Sequence, residues 1–146
     1  MASATSWVRS EVLRNIIAVV AGFVTAGAVM MACEYINYLI YPFPAAMDTN
    51  DIVQVRAFAD TLPAQALVLV AFGWIAGSFA AGFVATKAAT ASSPVPALIA
   101  GVLLTAGAGV NAWMIQSPLW FHIGGLPLFV LFTMVGEYVA RSTARS

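Results

Sequence analysis

Residues 16–41 read IIAVVAGFVTAGAVMMACEYINYLIY, an apolar run broken by a single charge, Glu34. A helix needs about 20 apolar residues to cross roughly 30 Å of hydrocarbon, and this run exceeds that length. Stretches 66–86, 96–115 and 119–139 repeat the pattern. Across all four, the only acidic or basic side chains are Glu34 and Glu137. In lipid, every backbone N–H and C=O must be bonded within its own segment, so such runs cross as helices. The sequence therefore predicts an all-α fold: a four-transmembrane-helix bundle in one integral membrane domain, residues 1–146, with the lipid bilayer as its solvent and first partner.

Composition agrees. The 146 residues are 62% hydrophobic and 8% charged, where a soluble domain carries roughly 25% charged residues. That deficit excludes a soluble enzyme with a charged shell. Six basic and six acidic residues balance, leaving no basic stripe for nucleic acid. The single cysteine, Cys33, excludes an intramolecular disulfide and a multi-cysteine metal site. Met30-Met31-Ala32-Cys33 loosely resembles a lipoprotein cleavage box. The apolar run continues past it, however, and far exceeds the ~7–15 residues of a signal core, so it reads as a span.

The basic residues sort by side. Arg9, Arg14, Lys87, Arg141 and Arg145 flank the spans at one end, five residues against Arg56 alone at the other. The positive-inside rule then puts both termini in the cytoplasm and the acidic first loop, with Asp48, Asp51 and Asp60, outside. Tyr38, Tyr41, Trp113 and Trp120 fall at the outer boundary, Trp7 and Tyr138 at the inner. Thr5, Ser6 and Ser10 beside Arg9 and Arg14 read as a capped, basic start to span one.

Pro42-Phe43-Pro44 ends span one, because proline cannot continue the helix ladder. Asp51 with Gln54 three residues on reads as a capping box. Ile52, Val55, Ala59 and Leu62 then recur at helical spacing, with Arg56 and Asp60 on the other side. Residues 51–61 are expected to form a short amphipathic helix, either lying on the membrane surface or covering the span ends.

Span two carries Gly73, Gly77, Ala81 and Ala85 every fourth residue, and span three Ala97, Gly101, Thr105 and Gly109. Small residues let helix backbones approach in lipid, where no hydrophobic drive operates between helices. Residues 88–94 are a short turn, so spans two and three are expected to be antiparallel neighbours whose smooth faces meet; the alternative is a face that docks another protein. Residues 21–27 and 100–107 match apart from one insertion, as a parallel two-plus-two repeat would.

Phe72-Gly73-Trp74-Ile75-Ala76-Gly77 and Gly109-Val110-Asn111-Ala112-Trp113-Met114-Ile115-Gln116-Ser117-Pro118-Leu119-Trp120-Phe121, with Tyr41-Pro42-Phe43-Pro44 before an acidic loop, resemble a family of small bacterial four-helix integral membrane proteins. The resemblance spans most of the chain. It implies a bacterial inner (plasma) membrane location and a compact bundle, and no particular activity.

Glu34 is the residue most suited to chemistry. A carboxylate at the bilayer centre costs about 2.5–3.5 kcal/mol, less toward the interface. It is therefore expected to face inward to a partner or water. Asn37, Asn111, Gln116 and His122 share its outer depth by topology. Glu34, Asn37, Asn111, Gln116 and His122 are expected to form one polar cluster, either binding a proton, cation or polar ligand, or fixing helix register by hydrogen bonds worth about 0.6 kcal/mol each. One histidine and one carboxylate are too few for a structural zinc site. Met30, Met31 and Met114 read as packing and not as haem ligands, so no cofactor and no metal are called for. Glu137 one turn before Arg141 reads as an interfacial ion pair. No phosphate loop, dinucleotide fingerprint, HExxH or GxSxG pattern occurs.

The function expected from these features is non-enzymatic: an accessory or scaffold component that packs against other membrane-protein subunits or as a homo-oligomer. The rival is a small ion, proton or small-molecule carrier using the outer cluster. An enzyme using Glu34 and His122 on a lipid-soluble substrate is third.

Overall fold

A computed structural model describes residues 2–90, 93–116 and 118–144, with side chains from Arg9 on. The side chains of Thr5, Ser6 and Trp7, and all of Arg145, lie outside the described residues. The chain is helical: α1 Ala2–Ile40, α2 Ile52–Thr61, α3 Ala64–Ala88, α4 Val95–Ile115 and α5 Leu119–Ser142. Four of these, all but α2, are long and apolar enough to cross a membrane. Their boundaries follow the apolar runs, with one difference. α1 has 39 residues, about 58 Å at 1.5 Å per residue, and starts well before residue 16. No proline or glycine interrupts residues 2–15, so the helix continues through Ser10 instead of being capped near it.

α3 is the hub. It packs on α1, α5 and α4, whereas α1 and α5 nowhere come within 8 Å, Cα to Cα, among the described residues. The expected meeting of the smooth faces of spans two and three does not occur. The Gly73–Gly77–Ala81–Ala85 face of α3 lies on α1 instead. A Cβ built on Gly73 would sit 2.9 Å from the Cβ of Cys33, and one on Gly77 would sit 2.8 Å from the Met30 side chain. From the other side, a Cβ on Gly22 would lie 2.7 Å from the Ala81 carbonyl oxygen. Ala18 and Ala26 complete the α1 half of this seam, both fully buried.

α3 turns a second small face to α5. A Cβ on Gly82 would overlap the Thr133 carbonyl, and one on Gly136 the Phe79 carbonyl. Two helix backbones therefore touch directly, which only glycine permits at these positions. Gly101 of α4 also packs on α5, with a Cβ there 3.1 Å from Thr133 Oγ1. Gly109, expected in the α4 packing face, meets nothing within 4 Å. The short turn made α3 and α4 sequence neighbours, but contact went to the faces with the least side-chain volume, on α1 and α5.

One end of the bundle is tied by polar contacts. Arg14 Nε donates to the Ala88 carbonyl at 3.1 Å, Lys87 Nζ to Thr143 Oγ1 at 2.9 Å, and Asn15 Oδ1 accepts from Thr90 Oγ1 at 3.0 Å. Cations thus meet the C-terminal ends of helices, where the macrodipole is negative. Glu137 and Arg141 form the expected ion pair. The start of α1 and the end of α5 lie at this same end.

The other end carries α2. The Asp51 carboxylate accepts from the Val53 N–H at 2.9 Å and from the Gln54 amide at 3.0 Å. The cap differs from a standard capping box: Gln54 Oε1 accepts from the Asp48 N–H, not from that of Asp51. The Arg56 guanidinium donates to the Met114 carbonyl at 2.6 Å, and the Phe58 ring packs on that of Phe43 at a 60° tilt, centroids 5.1 Å apart, so α2 covers the end of α4 and the first loop. The Gln54 amide first, and then the Val53 N–H, hold the Asp51 carboxyl below the usual carboxylate range. A lowered folded-state value means the cap stabilises fully above the unfolded value of about 4 and is lost as pH falls through the folded value. The helical NMR shifts of residues 52–56 are therefore expected to hold at neutral pH and to fade only in acid below about pH 4. Asp51→Asn, which keeps an acceptor, should remove that acid transition; an unchanged transition would show that Asp51 does not cause it.

Candidate functional site

The five residues expected in one polar cluster stand on α1, at the end of α4 and at the start of α5. Glu34 stands exposed on the side of α1, and Asn111 stands exposed on α4. Asn37 faces inward at 8% exposure, and its Oδ1 has no hydrogen-bond partner. His122 is half-buried, its Nε2 enclosed and unpartnered. No side-chain hydrogen bond joins any two of the five, and Glu34 and His122 sit on helices whose described Cα atoms nowhere come within 8 Å of each other. Shared depth, read from topology, does not by itself make a hydrogen bond, which also requires facing sides. Among the described residues, no group of three or more histidine, cysteine, aspartate or glutamate side chains is placed to hold a metal.

Gln116 has a different role. It ends α4 in the left-handed region, φ 57° and ψ 40°, with its N–H bonded to the Ala112 carbonyl at 2.9 Å. Among described non-glycine residues this positive φ is unique. Such a conformation costs an L-residue roughly 1–2 kcal/mol, offset in a glycine by about 0.5–1 kcal/mol of extra chain entropy. Gln116→Gly is thus expected to raise stability by about 0.5–1 kcal/mol and Gln116→Val to lower it. Equal melting of the two variants would rule out strain at this cap.

Three hydroxyls within the long helices bond to their own backbone, whereas Ser78 Oγ and Thr86 Oγ1 of α3 are buried without a partner among the described residues. Thr25 bonds to the Ala21 carbonyl, Thr105 to that of Gly101 and Thr133 to that of Phe129, each one turn back in its own helix.

The lateral surface between α1 and α4 is more informative. At the end of the bundle tied by Arg14 and Lys87 the two helices flank a shallow, mainly apolar groove lined by Ile16, Val19, Pro96 and Ile99 among others. Higher up, Phe23 and Leu103 are 45% and 47% exposed, and added Cβ atoms on Gly27 and Gly107 meet no atom within 4 Å. Glu34 lies 18 residues beyond Ile16 on α1, and Asn111 lies 15 beyond Pro96 on α4. Eighteen residues are five whole turns, so Glu34 rises on the side of α1 that flanks the groove; Asn111, eleven residues or about three turns beyond the buried Ala100, lies on the core-facing side of α4 and is exposed near the end of that helix. Sequence reasoning singled out Glu34 but missed that it belongs to an outward face. Helical phase counted from the buried Ala18, about 160° round α1 from Glu34, gives that signal.

Comparison of the chain with protein-family models, curated proteins and solved structures finds no match.

Proposed function

We propose that this chain is a multi-pass protein of the bacterial inner membrane, with both termini cytoplasmic, that acts without catalysis as an accessory packed against other membrane proteins. Glu34 carries the reading. It is a carboxylate within an apolar helix, exposed on the side of the bundle with no hydrogen bond or ion pair among the described residues. Leaving such a group to lipid costs up to about 3 kcal/mol, and a neighbouring helix bearing a donor removes that cost. The separation of Arg14, Lys87 and Arg141 from Asp48, Asp51 and Asp60, at opposite ends of the bundle, supports the orientation.

Photo-crosslinking in intact membranes tests the reading. Probes at Met31 and Tyr35, exposed beside Glu34, should give protein adducts, and a probe at the exposed Leu131 on α5 should give lipid adducts. Lipid adducts alone at all three positions would defeat it. The carrier reading keeps one observation in its favour, the unpartnered Asn37 Oδ1 and His122 Nε2. It predicts pH-dependent flux in vesicles that His122→Gln abolishes.

A further inference from the structure

The end of the bundle where α3 stops holds more positive charge than its own carboxylates balance. Glu137 is paired with Arg141. Arg14 and Lys87 have no carboxylate at ion-pair distance among the described residues. Each is held by a neutral oxygen instead: Arg14 Nε by the Ala88 carbonyl at 3.1 Å, and Lys87 Nζ by Thr143 Oγ1 at 2.9 Å. A guanidinium has five N–H donors and an ammonium three, and each of these contacts uses one. The two cations meet α3 at consecutive residues, 87 and 88.

They also share a side of the bundle. On α3, Gly77 faces α1 through Met30, and Trp74 packs with Leu104 and Ala108 of α4. Lys87 is ten residues past Gly77 and thirteen past Trp74, which at about 100° per residue turns it about 140° away from Trp74. Half-buried Ala76 and Ala80 stand within about 20° of its line. On α1, Ile16 borders α4, and Arg14, two residues earlier, points about 160° away from it. Ala21, Thr25 and Ala32 continue the line of Arg14 at 7, 11 and 18 residues. Both cations therefore stand on the face turned from α4, below small side chains.

We infer that Arg14 and Lys87 seat the headgroup of an anionic phospholipid of the inner leaflet, with an acyl chain lying on the small residues of α1 and α3 beyond them. This goes past the accessory reading and rests only on the orientation proposed with it. Charge complementarity sets the class: two cations without a carboxylate call for an anion, and basic residues at the cytoplasmic ends of spans attract anionic headgroups. The apolar, small-residue surface beside them suits a lipid chain and adds nothing for a free phosphate.

The test uses the full chain in nanodiscs of phosphatidylcholine, alone or mixed with phosphatidylglycerol. Native mass spectrometry after release should find phosphatidylglycerol retained over phosphatidylcholine, and the mixed discs should raise the melting temperature. Arg14→Gln and Lys87→Gln should each weaken retention about fivefold, and together about 25-fold. Lys87→Arg, which keeps the charge, should keep most of it, and Arg56→Gln at the other end should keep all of it. Melting in phosphatidylcholine alone shows that each variant is folded. Wild-type chain with no preference for phosphatidylglycerol overturns the inference. So does a folded double variant that retains the lipid as wild type does, or equal loss in Lys87→Arg and Lys87→Gln. Inorganic phosphate that raises melting as far as phosphatidylglycerol does would assign the cations to a free anion and overturn the lipid. Ser142→Cys in a Cys33→Ala chain reports the side. Labelling from outside intact cells would overturn the orientation and the inner-leaflet site with it. Labelling only after permeabilisation, with no lipid preference, would overturn this inference and leave the orientation standing.

Discussion

Gly82→Ala should destabilise the bundle by about 3 kcal/mol, the upper end for overpacking. The added methyl falls on the Thr133 carbonyl, with further atoms of the Thr133 backbone 2.7 and 3.0 Å away. A rotamer change gives no escape from a backbone atom. The helices must separate, and in lipid the loss of close contact is the loss of most of what holds them. Gly136→Ala should act alike from the other side, because its Cβ meets the Phe79 carbonyl and the Phe83 nitrogen. Gly77→Ala is a milder change, about 1 kcal/mol at the low end of overpacking, since its nearest neighbour is the flexible Met30 side chain. Gly109→Ala, with open space, should be neutral or gain up to about 1 kcal/mol of helix propensity. Thermal unfolding of the purified variants orders the four. If Gly82→Ala melts with Gly77→Ala, the α3/α5 backbone contact is not what the bundle depends on.

The ranking marks how far a periodic pattern can be read. Every long apolar run became a helix, because length and the need to bond the backbone leave no other choice in lipid. α2 was legible from Asp51, Gln54 and the spacing of its apolar side chains, since capping is local chemistry. Gly73, Gly77 and Ala81 were legible as a packing face, but their partner was not. A smooth stripe shows that something approaches, and three helices compete to do so. Gly82 and Gly136, the tightest positions, lie outside that stripe, in the shorter small-residue series Ser78-Gly82-Thr86 and Gly136-Ala140.

The polar residues show the same limit more sharply. Glu34, Asn111 and His122 do lie near one end of the bundle. Depth follows from counting residues along a helix, whereas facing depends on the rotation of each helix, which packing sets. Gln116 was misread for another reason. Its role is the left-handed backbone at the end of α4, and glutamine carries no preference that would announce it.

Trp74 is the other position where a single change should have a large effect. Its ring lies 4.8 Å from that of Phe121 and 5.0 Å from that of Phe129, centroid to centroid. It rests on Gly125, where a Cβ would come within 2.5 Å of Cζ3. In water, truncating such a residue costs about 3–5 kcal/mol, part of it lost transfer from solvent. For a bundle in lipid the surroundings of the separated helices are apolar too, so that part vanishes and the packing loss remains. Trp74→Ala should therefore cost about 2–3 kcal/mol, built from two aromatic contacts of about 0.5–1.5 kcal/mol each and the cavity left behind. Gly125→Ala should cost about 1–2 kcal/mol by displacing the ring. Because the new methyl occupies space that the missing ring vacates, the double variant should be more stable than the sum of the two losses by at least about 1 kcal/mol. Unfolding measurements on the four-member cycle give that coupling directly. Strict additivity would mean that Trp74 does not occupy the seat that Gly125 provides.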